Sequence, residues 1–265
     1  MDLRLWALAF TLLDWTERQK AECWAAHQAG VAPALTPGQA EALARLEAGL
    51  PGHQQAAHER GARLLLPGDP GVDALLDPLP YPVALWVRGS LPPPGPRLAI
   101  VGSRQASARG LARTRAWARA LTETGVAVLS GLARGIDGAA HGGALEAGPT
   151  WGVLGSGLDH PYPAEHRPLM DRMVAAGGGV LTPFPPEAPP LKWHFPRRNW
   201  LLAAWVDAVL VMEAAPRSGS LVTAKLALDL GKELFVVPGS EGTDALLDEG
   251  AAHPCTEVSD LLALG

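Results

Sequence analysis

The sequence predicts an α/β fold, a doubly wound and mostly parallel sheet with helices on both faces, preceded by a small helical N-terminal domain. Three observations predict it. Six short apolar runs recur between residues 97 and 240, namely RLAIVGS, GVAVLSG, TWGVLGSG, GGVLTPF, DAVLVMEA and ELFVVPGS. Continuous apolar runs of this length are what strands buried on both faces look like. Helix-like stretches at 107–124, 136–147, 163–176, 198–205 and 219–230 separate them, and strand–helix alternation implies βαβ units around a parallel sheet. Residues 1–50, in contrast, carry Leu, Ala and Trp at helical spacing with no strand-like run.

In chain order, MDLRLWALAFTLLDW has an apolar run without a basic leader or a small-residue cleavage site, and charges interrupt it. It is expected to be an amphipathic core helix rather than a signal peptide or a membrane span. TPGQAEAL (36–43) reads as a helix start, and residues 1–66 form the small helical N-terminal domain. Residues 67–96 are a Pro/Gly-rich connector in which VALWVRG is a short strand, and the PPPGP run marks the boundary. The sheet domain takes 97–265, closing on DALLDEGA and VSDLLAL as short helices, with no winged helix expected within it.

With 265 residues the chain can bury a sizeable core. Its two cysteines, Cys23 and Cys255, are far apart and outside any CxxC pattern. That fits a reducing cytoplasm and excludes a disulfide framework or a cysteine zinc site. Net charge is −5, yet it is unevenly spread: 7 basic against 10 acidic side chains in 1–95, 15 against 11 in 96–240, and 0 against 6 in 241–265. A cationic middle between acidic ends can still present a positive groove, because the local field attracts an anion.

In an open parallel sheet, ligands bind at the carboxyl ends of the strands. The segments there are VGSRQAS, SGLARGID, GSGLDHPYP, TPFPPEAPPLKWHFPRRN, EAAPRSGSL and PGSEGTD. Gly/Ser turns at helix N-termini expose backbone N–H groups to anions, and arginine adds a planar fork that matches phosphate. A dinucleotide site requires GxGxxG after the first strand and an acid at the end of the second; GSRQASARG and Ser130-Gly131 supply neither. A P-loop requires GxxxxGK[ST], but Gly231-Lys232 is followed by Glu233. Asp137 and His141 stand four apart on a helix and lack a third ligand, so no metal site is expected. Asp137 is expected to accept backbone N–H groups at its helix start or to orient Arg134.

These segments, in this order, resemble the DprA/Smf DNA-processing proteins of bacteria. The resemblance rests on AIVGSRQAS, SGLARGIDGAAHGGAL, GVLGSGLDHPYP, FPRRN, EAAPRSGSLVTAKLAL and VVPGS, and covers about residues 97–240. It implies an extended Rossmann-like domain without enzymatic activity or cofactor. It also implies a cytoplasmic homodimer that binds single-stranded DNA and hands it to the RecA recombinase during natural transformation. Three features depart from the family pattern. Trp200 stands where RNR has its final arginine, Asp244 replaces an asparagine in EGTDALL, and a loop after PGS is shorter. Many relatives add a C-terminal winged helix, which is not expected within 97–265, so for these residues the resemblance implies none of the functions attributed to that domain.

On this reading Gly102, Ser103, Arg104, Ser130, Gly131, Arg134, Gly135, Ser218, Gly219 and Ser220 cradle successive phosphates. Lys192, Arg197 and Arg198 extend the track, with Arg217 and Lys225 beyond them, and Asn199 joins the set through the FPRRN match. Phe195, Trp193 or Trp200 is expected to stack on a base, although WLLAAWV reads as a buried helix face and assigns Trp200 to the core. The alternative is a nucleotide-binding protein or a nucleotide N-glycoside hydrolase of the lysine-decarboxylase-like superfamily. PGSEGTD resembles the PGGxGTxxE signature of those enzymes, but Leu246 occupies the position of the catalytic glutamate.

Overall fold

A computed structural model describes residues 2–76 and 79–261. Three helices open the chain. In α1 (Leu3–Leu12) the Asp2 carboxylate accepts the Arg4 N–H. Both α2 (Glu17–Gln28) and α3 (Pro37–Glu59) start on a capping box, Thr16 with Gln19 and Thr36 with Gln39. In each, hydroxyl and amide side chain satisfy one another's backbone N–H groups, and Pro37 fills the first helical position, where no N–H is needed.

β1 (Arg63–Leu65), α4 (Asp73–Leu76) and β2 (Leu85–Gly89) follow. The expected apolar runs then become β3 (Arg97–Val101), β4 (Ala127–Ser130), β5 (Trp151–Val153), β6 (Gly179–Thr182), β7 (Ala208–Val211) and β8 (Glu233–Val236). Between them lie α5 (Ala108–Glu123), α6 (Ile136–Ala144), α7 (Arg167–Ala175, led by a short 3₁₀ turn), α8 (His194–Ala204) and α9 (Gly219–Asp229). α10 (Glu241–Asp248), β9 (His253–Pro254) and a 3₁₀ turn at Val258–Leu261 close the described chain. The VSDLLAL helix is therefore seen only as that turn, and the rest of it lies outside the described residues.

The nine strands form one sheet in the order β1-β2-β6-β5-β4-β3-β7-β8-β9. All pairs from β6 to β9 are parallel, whereas β2 pairs antiparallel with both β1 and β6. The strand expected in the connector thus joins the main sheet, and β1 extends it from the helical segment. The hydrophobic core does not break at the proline-rich run. One cluster passes from Leu5, Trp6 and Phe10 of α1 through Leu85 to Leu201, Val209 and Ala227. Burying a side chain the size of Phe10 stabilises a fold by about 1.5–3 kcal/mol, which ties α1 to the sheet. Both cysteines are buried free thiols. Among the described residues no helix is long and apolar enough to cross a membrane.

Strand order positions the ligand site. From β3 the chain first winds outward through β4, β5 and β6, then crosses back to β7 on the other side of β3. α5 packs with α6, and α8 packs with α9. Where two such windings diverge from a central strand, the loops part and leave a crevice at the strand ends.

Candidate functional site

A cleft of about 580 Å³ lies in that crevice, lined by the loops after β3 and β4, the start of α9 and the first half of α8. The β3 loop is held from below by a residue the sequence reading did not single out. Glu213, just after β7, accepts the Ser107 N–H (2.9 Å) and hydroxyl (2.5 Å), while the Ser103 N–H donates to its carbonyl (2.7 Å). Ser107 in turn caps α5 by accepting the Gly110 N–H (2.9 Å). The signal was an acid at a strand end facing a serine-rich loop, which only the β3–β7 pairing brings together.

The β4 loop packs against the β3 loop. Gly135 has φ +73°, and a Cβ there would lie 2.9 Å from the Arg104 carbonyl carbon. Only glycine permits both the left-handed backbone and this approach. The Ile136 N–H then donates to the Ser103 carbonyl (3.2 Å), locking the two loops. Neither α6 nor α9 has a capping side chain at its start, Gly135 and Ser218 making no cap bond. The start of α9 therefore offers the cleft its first N–H groups and the positive end of a macrodipole, whereas at α6 the Ile136 and Gly138 N–H groups already donate to the Ser103 and Ala133 carbonyls.

Expected site residues divide sharply. Gly102, Ser103, Arg104, Gly131, Arg134, Phe195, Arg198, Asn199, Ser218, Gly219 and Ser220 line the cleft, whereas Gly135 does not: it packs against the Ser103–Arg104 backbone and opens on a neighbouring pocket with Arg115 and His166. Arg104 is exposed and sits 5.7 Å from the Phe195 ring centre, and Phe195 meets Tyr162 edge-on. Asn199 Nδ2 donates to the Gly219 carbonyl, joining α8 to the start of α9.

Arg198 is in the cleft but forms its floor rather than a free surface cation. It is 5 % exposed, and its Nη1 donates to the Gly131 carbonyl and to the Val153 carbonyl (2.7 Å). Burial pulls its pKa down to about 10, against the attraction of the buried Asp137 carboxylate. Ser130 is a further correction: its hydroxyl is fully buried and donates to the Ile100 carbonyl (2.6 Å), so it faces the sheet. Asp137 serves the turn before α6 rather than α6 itself, accepting the Ala133 N–H (3.2 Å). Nor does it orient Arg134, whose Nε pairs with Glu165 at 2.5 Å on the surface.

Four expected cations lie outside the cleft. Arg197 turns to the opposite side of α8, where its Nη2 donates to the Phe10 carbonyl (3.0 Å) and its guanidinium lies over Phe184. Successive residues on a helix point about 100° apart, and here that rotation carries Arg197 to the far side of α8 while Arg198 and Asn199 face the cleft. Lys192 is exposed before α8, and Arg217 is exposed on a left-handed backbone (φ 59°). Lys225 sits nearly two turns into α9, roughly 9 Å along its axis from the uncapped end. Trp200 is partly buried against the core cluster, as its sequence context indicates, whereas Trp193 is exposed. Leu246, at the position of the hydrolase glutamate, packs against the same core.

His141 is buried, and its Nδ1–H donates to Thr150 Oγ1 (2.9 Å), whose own proton goes to the Val128 carbonyl. Burial drives its pKa down to about 3. An unfolded histidine takes up a proton near pH 6.5, so below that pH the unfolded state holds one proton more. Stability is therefore expected to fall as pH drops from about 6.5 toward 3, by about 1.4 kcal/mol per unit from this residue alone. Denaturant titrations across that range should show a slope shallower by one proton in His141→Asn.

The family described as DNA recombination-mediator protein A matches residues 67–264. The protein Smf of Escherichia coli (strain K12) is 44 % identical over 185 residues, 67 % of this chain and 50 % of that protein. DNA processing protein DprA of Streptococcus pneumoniae is 40 % identical over 190 residues, 69 % of this chain and 66 % of that one. The chain thus spans about half the length of the Smf relative. An X-ray structure of the Streptococcus pneumoniae DprA superposes with a TM-score of 0.79 at 30 % identity, over 99 % of this chain and 97 % of that one. DNA processing protein A of Helicobacter pylori, described for its single-stranded DNA binding mode, gives 0.68 at 29 % identity over 76 % of this chain and 94 % of that one. With its Rossmann-like sheet and the loops that build its cleft inside the matched region, the chain belongs to the DNA recombination-mediator protein A family, that of the DNA-processing proteins DprA and Smf.

Proposed function

We propose that the cleft binds single-stranded DNA through its phosphates. The observation that carries this reading is the convergence of the uncapped α9 N-terminus with Arg104, Arg134 and the buried Arg198 on one crevice. Uncapped N–H groups and guanidinium forks recognise phosphate without reading sequence. Phe195 adds a ring on which a base can stack, and a strand without a partner leaves base faces available for this. The Helicobacter pylori relative, described for the same ligand class, supports the reading. In the same scheme the protein acts in the cytoplasm as a non-enzymatic homodimer that passes the strand to RecA during natural transformation; this part rests on the family resemblance. A dimer would double the phosphate contacts and raise avidity.

The test is binding of single-stranded and duplex oligonucleotides across a salt series, for wild type, Arg104→Ala and Arg134→Ala. Single strands should bind more tightly, and affinity should fall with salt by a slope of about −0.7 per phosphate contact. If both variants bind single strands as wild type does, the site is wrong. RecA handoff is read as a shorter lag in filament growth on the bound strand, and the dimer by sedimentation. Incubation with a nucleoside monophosphate should release no free base, since Leu246 can neither move a proton nor stabilise an oxocarbenium ion.

Glu165 gives this scheme a sharper prediction. Its carboxylate holds the Arg134 fork that a phosphate would take, and Arg134 holds the Glu165 carboxyl below its ordinary range. Exposed ion pairs of this kind are weak, so a phosphate can displace the acid. Glu165→Gln should tighten single-strand binding about two- to fivefold at low salt, a gain that shrinks as salt rises.

A further inference from the structure

On the far side of α8 lies a second and larger cavity, about 860 Å³, between that helix and the N-terminal segment. The cleft does not use it. Trp15, Tyr81, Trp193 and Trp200 contribute aromatic rings to its walls, and two cations, Lys20 and Arg197, reach it. We infer that this cavity is a second nucleotide site, in which a base stacks among the aromatic rings and its phosphate meets Lys20 and Arg197.

The lining charges are mixed, Lys20 and Arg197 standing beside the carboxylates of Asp14 and Glu17, so a phosphate is held by the donors these acids leave open. Lys20 is 3 % exposed, and Glu17 is the carboxylate it pairs with (2.8 Å). Glu17 also accepts the Tyr81 hydroxyl, so one acid serves two partners. Arg197 commits one donor to the Phe10 carbonyl, and a guanidinium has five. Both cations are held below their ordinary pKa, chiefly by burial, and for Lys20 also by the nearby Arg197 charge. Glu17 and Asp14 offset part of that repulsion for Lys20, and the open guanidinium donors of Arg197 are left for a phosphate. The rings ask for a planar partner: Tyr81 lies 6.3 Å from Trp200, and Trp193 stands 59 % exposed at the rim. A nucleotide is the common ligand that is planar at one end and anionic at the other, and the volume falls within the range of small-ligand sites.

The unit can be a free nucleotide or part of the strand held in the cleft. α8 links the two possibilities, since Phe195, Arg198 and Asn199 face the cleft while Arg197 and Trp200 face the cavity.

Saturation-transfer NMR and calorimetry with thymidine monophosphate, on the full chain, test the site. Binding should be saturable, unchanged in Arg104→Ala, and at least tenfold weaker in Lys20→Met and in Trp193→Ala. Trp193 is exposed at the rim, so its loss leaves the fold intact and covers the case in which Lys20→Met unfolds. If the free nucleotide fails but Trp193→Ala weakens oligothymidylate binding in the Arg104→Ala background, the site holds a unit of the strand. No saturable mononucleotide binding together with unchanged strand affinity in Trp193→Ala overturns the inference, and it does so whatever the Arg104→Ala result says about the cleft.

Discussion

Asp137→Ala is expected to lower the melting temperature by about 2–12 °C. The cause is the cation it leaves behind. Arg198 is buried, and Asp137 is the carboxylate whose charge opposes the cost of that burial. Asp137 acts on Arg198 as a nearby buried charge rather than as a direct ion-pair partner, so its loss costs about 1–3 kcal/mol, the range for leaving a buried polar group without its partner. In a chain of this size each kcal/mol moves the midpoint by about 2–4 °C. Alanine also withdraws the acceptor of the Ala133 N–H, loosening the turn into α6. Asp137→Asn keeps an acceptor there and isolates the charge contribution, so its midpoint should lie between wild type and alanine. Circular dichroism melts check both, and an unchanged midpoint in the alanine variant would mean that the Gly131 and Val153 carbonyls alone satisfy Arg198.

The same pair shows why parts of the site were hidden in the sequence. β3 to β8 were legible because strands buried in a parallel sheet are short apolar runs, and helix-like stretches separate them at regular intervals. β1 and β9, three and two residues long, carry too little pattern to register and exist because a neighbouring strand offers an edge. The Gly/Ser loops with arginine were legible as the loops that gather at the strand ends and line the cleft, yet the face each arginine takes was not. Arg197 and Arg198 are adjacent and chemically alike, and one turns to the N-terminal segment while the other becomes the cleft floor. That choice depends on where α8 begins. It starts at His194 rather than at 198, placing Phe195 on the helix one turn before Arg198 and Asn199, so all three line the cleft. Glu213 and Glu165 were missed for a related reason: each acts on a loop far away in sequence, Glu213 on 103–107 and Glu165 on Arg134.

Within the proposed function, Phe195→Ala should weaken single-strand binding about fivefold to more than a hundredfold, the range given by losing 1–3 kcal/mol of stacking on one base. Its ring is positioned for this by contacts on two sides, the Arg104 guanidinium at 5.7 Å and Tyr162 at 5.7 Å. The salt series separates stacking from charge. Phe195→Ala removes no cation, so the lines for wild type and variant should run parallel, displaced by a constant factor. Arg104→Ala removes a phosphate contact, so its line should be shallower by about 0.7 and approach wild type at high salt. A Phe195→Ala variant that binds normally would place the bases outside the ring's reach. A shallower slope in that variant would show instead that the ring acts by holding Arg104 in place, making Phe195 a positioning residue for the guanidinium rather than a platform for a base.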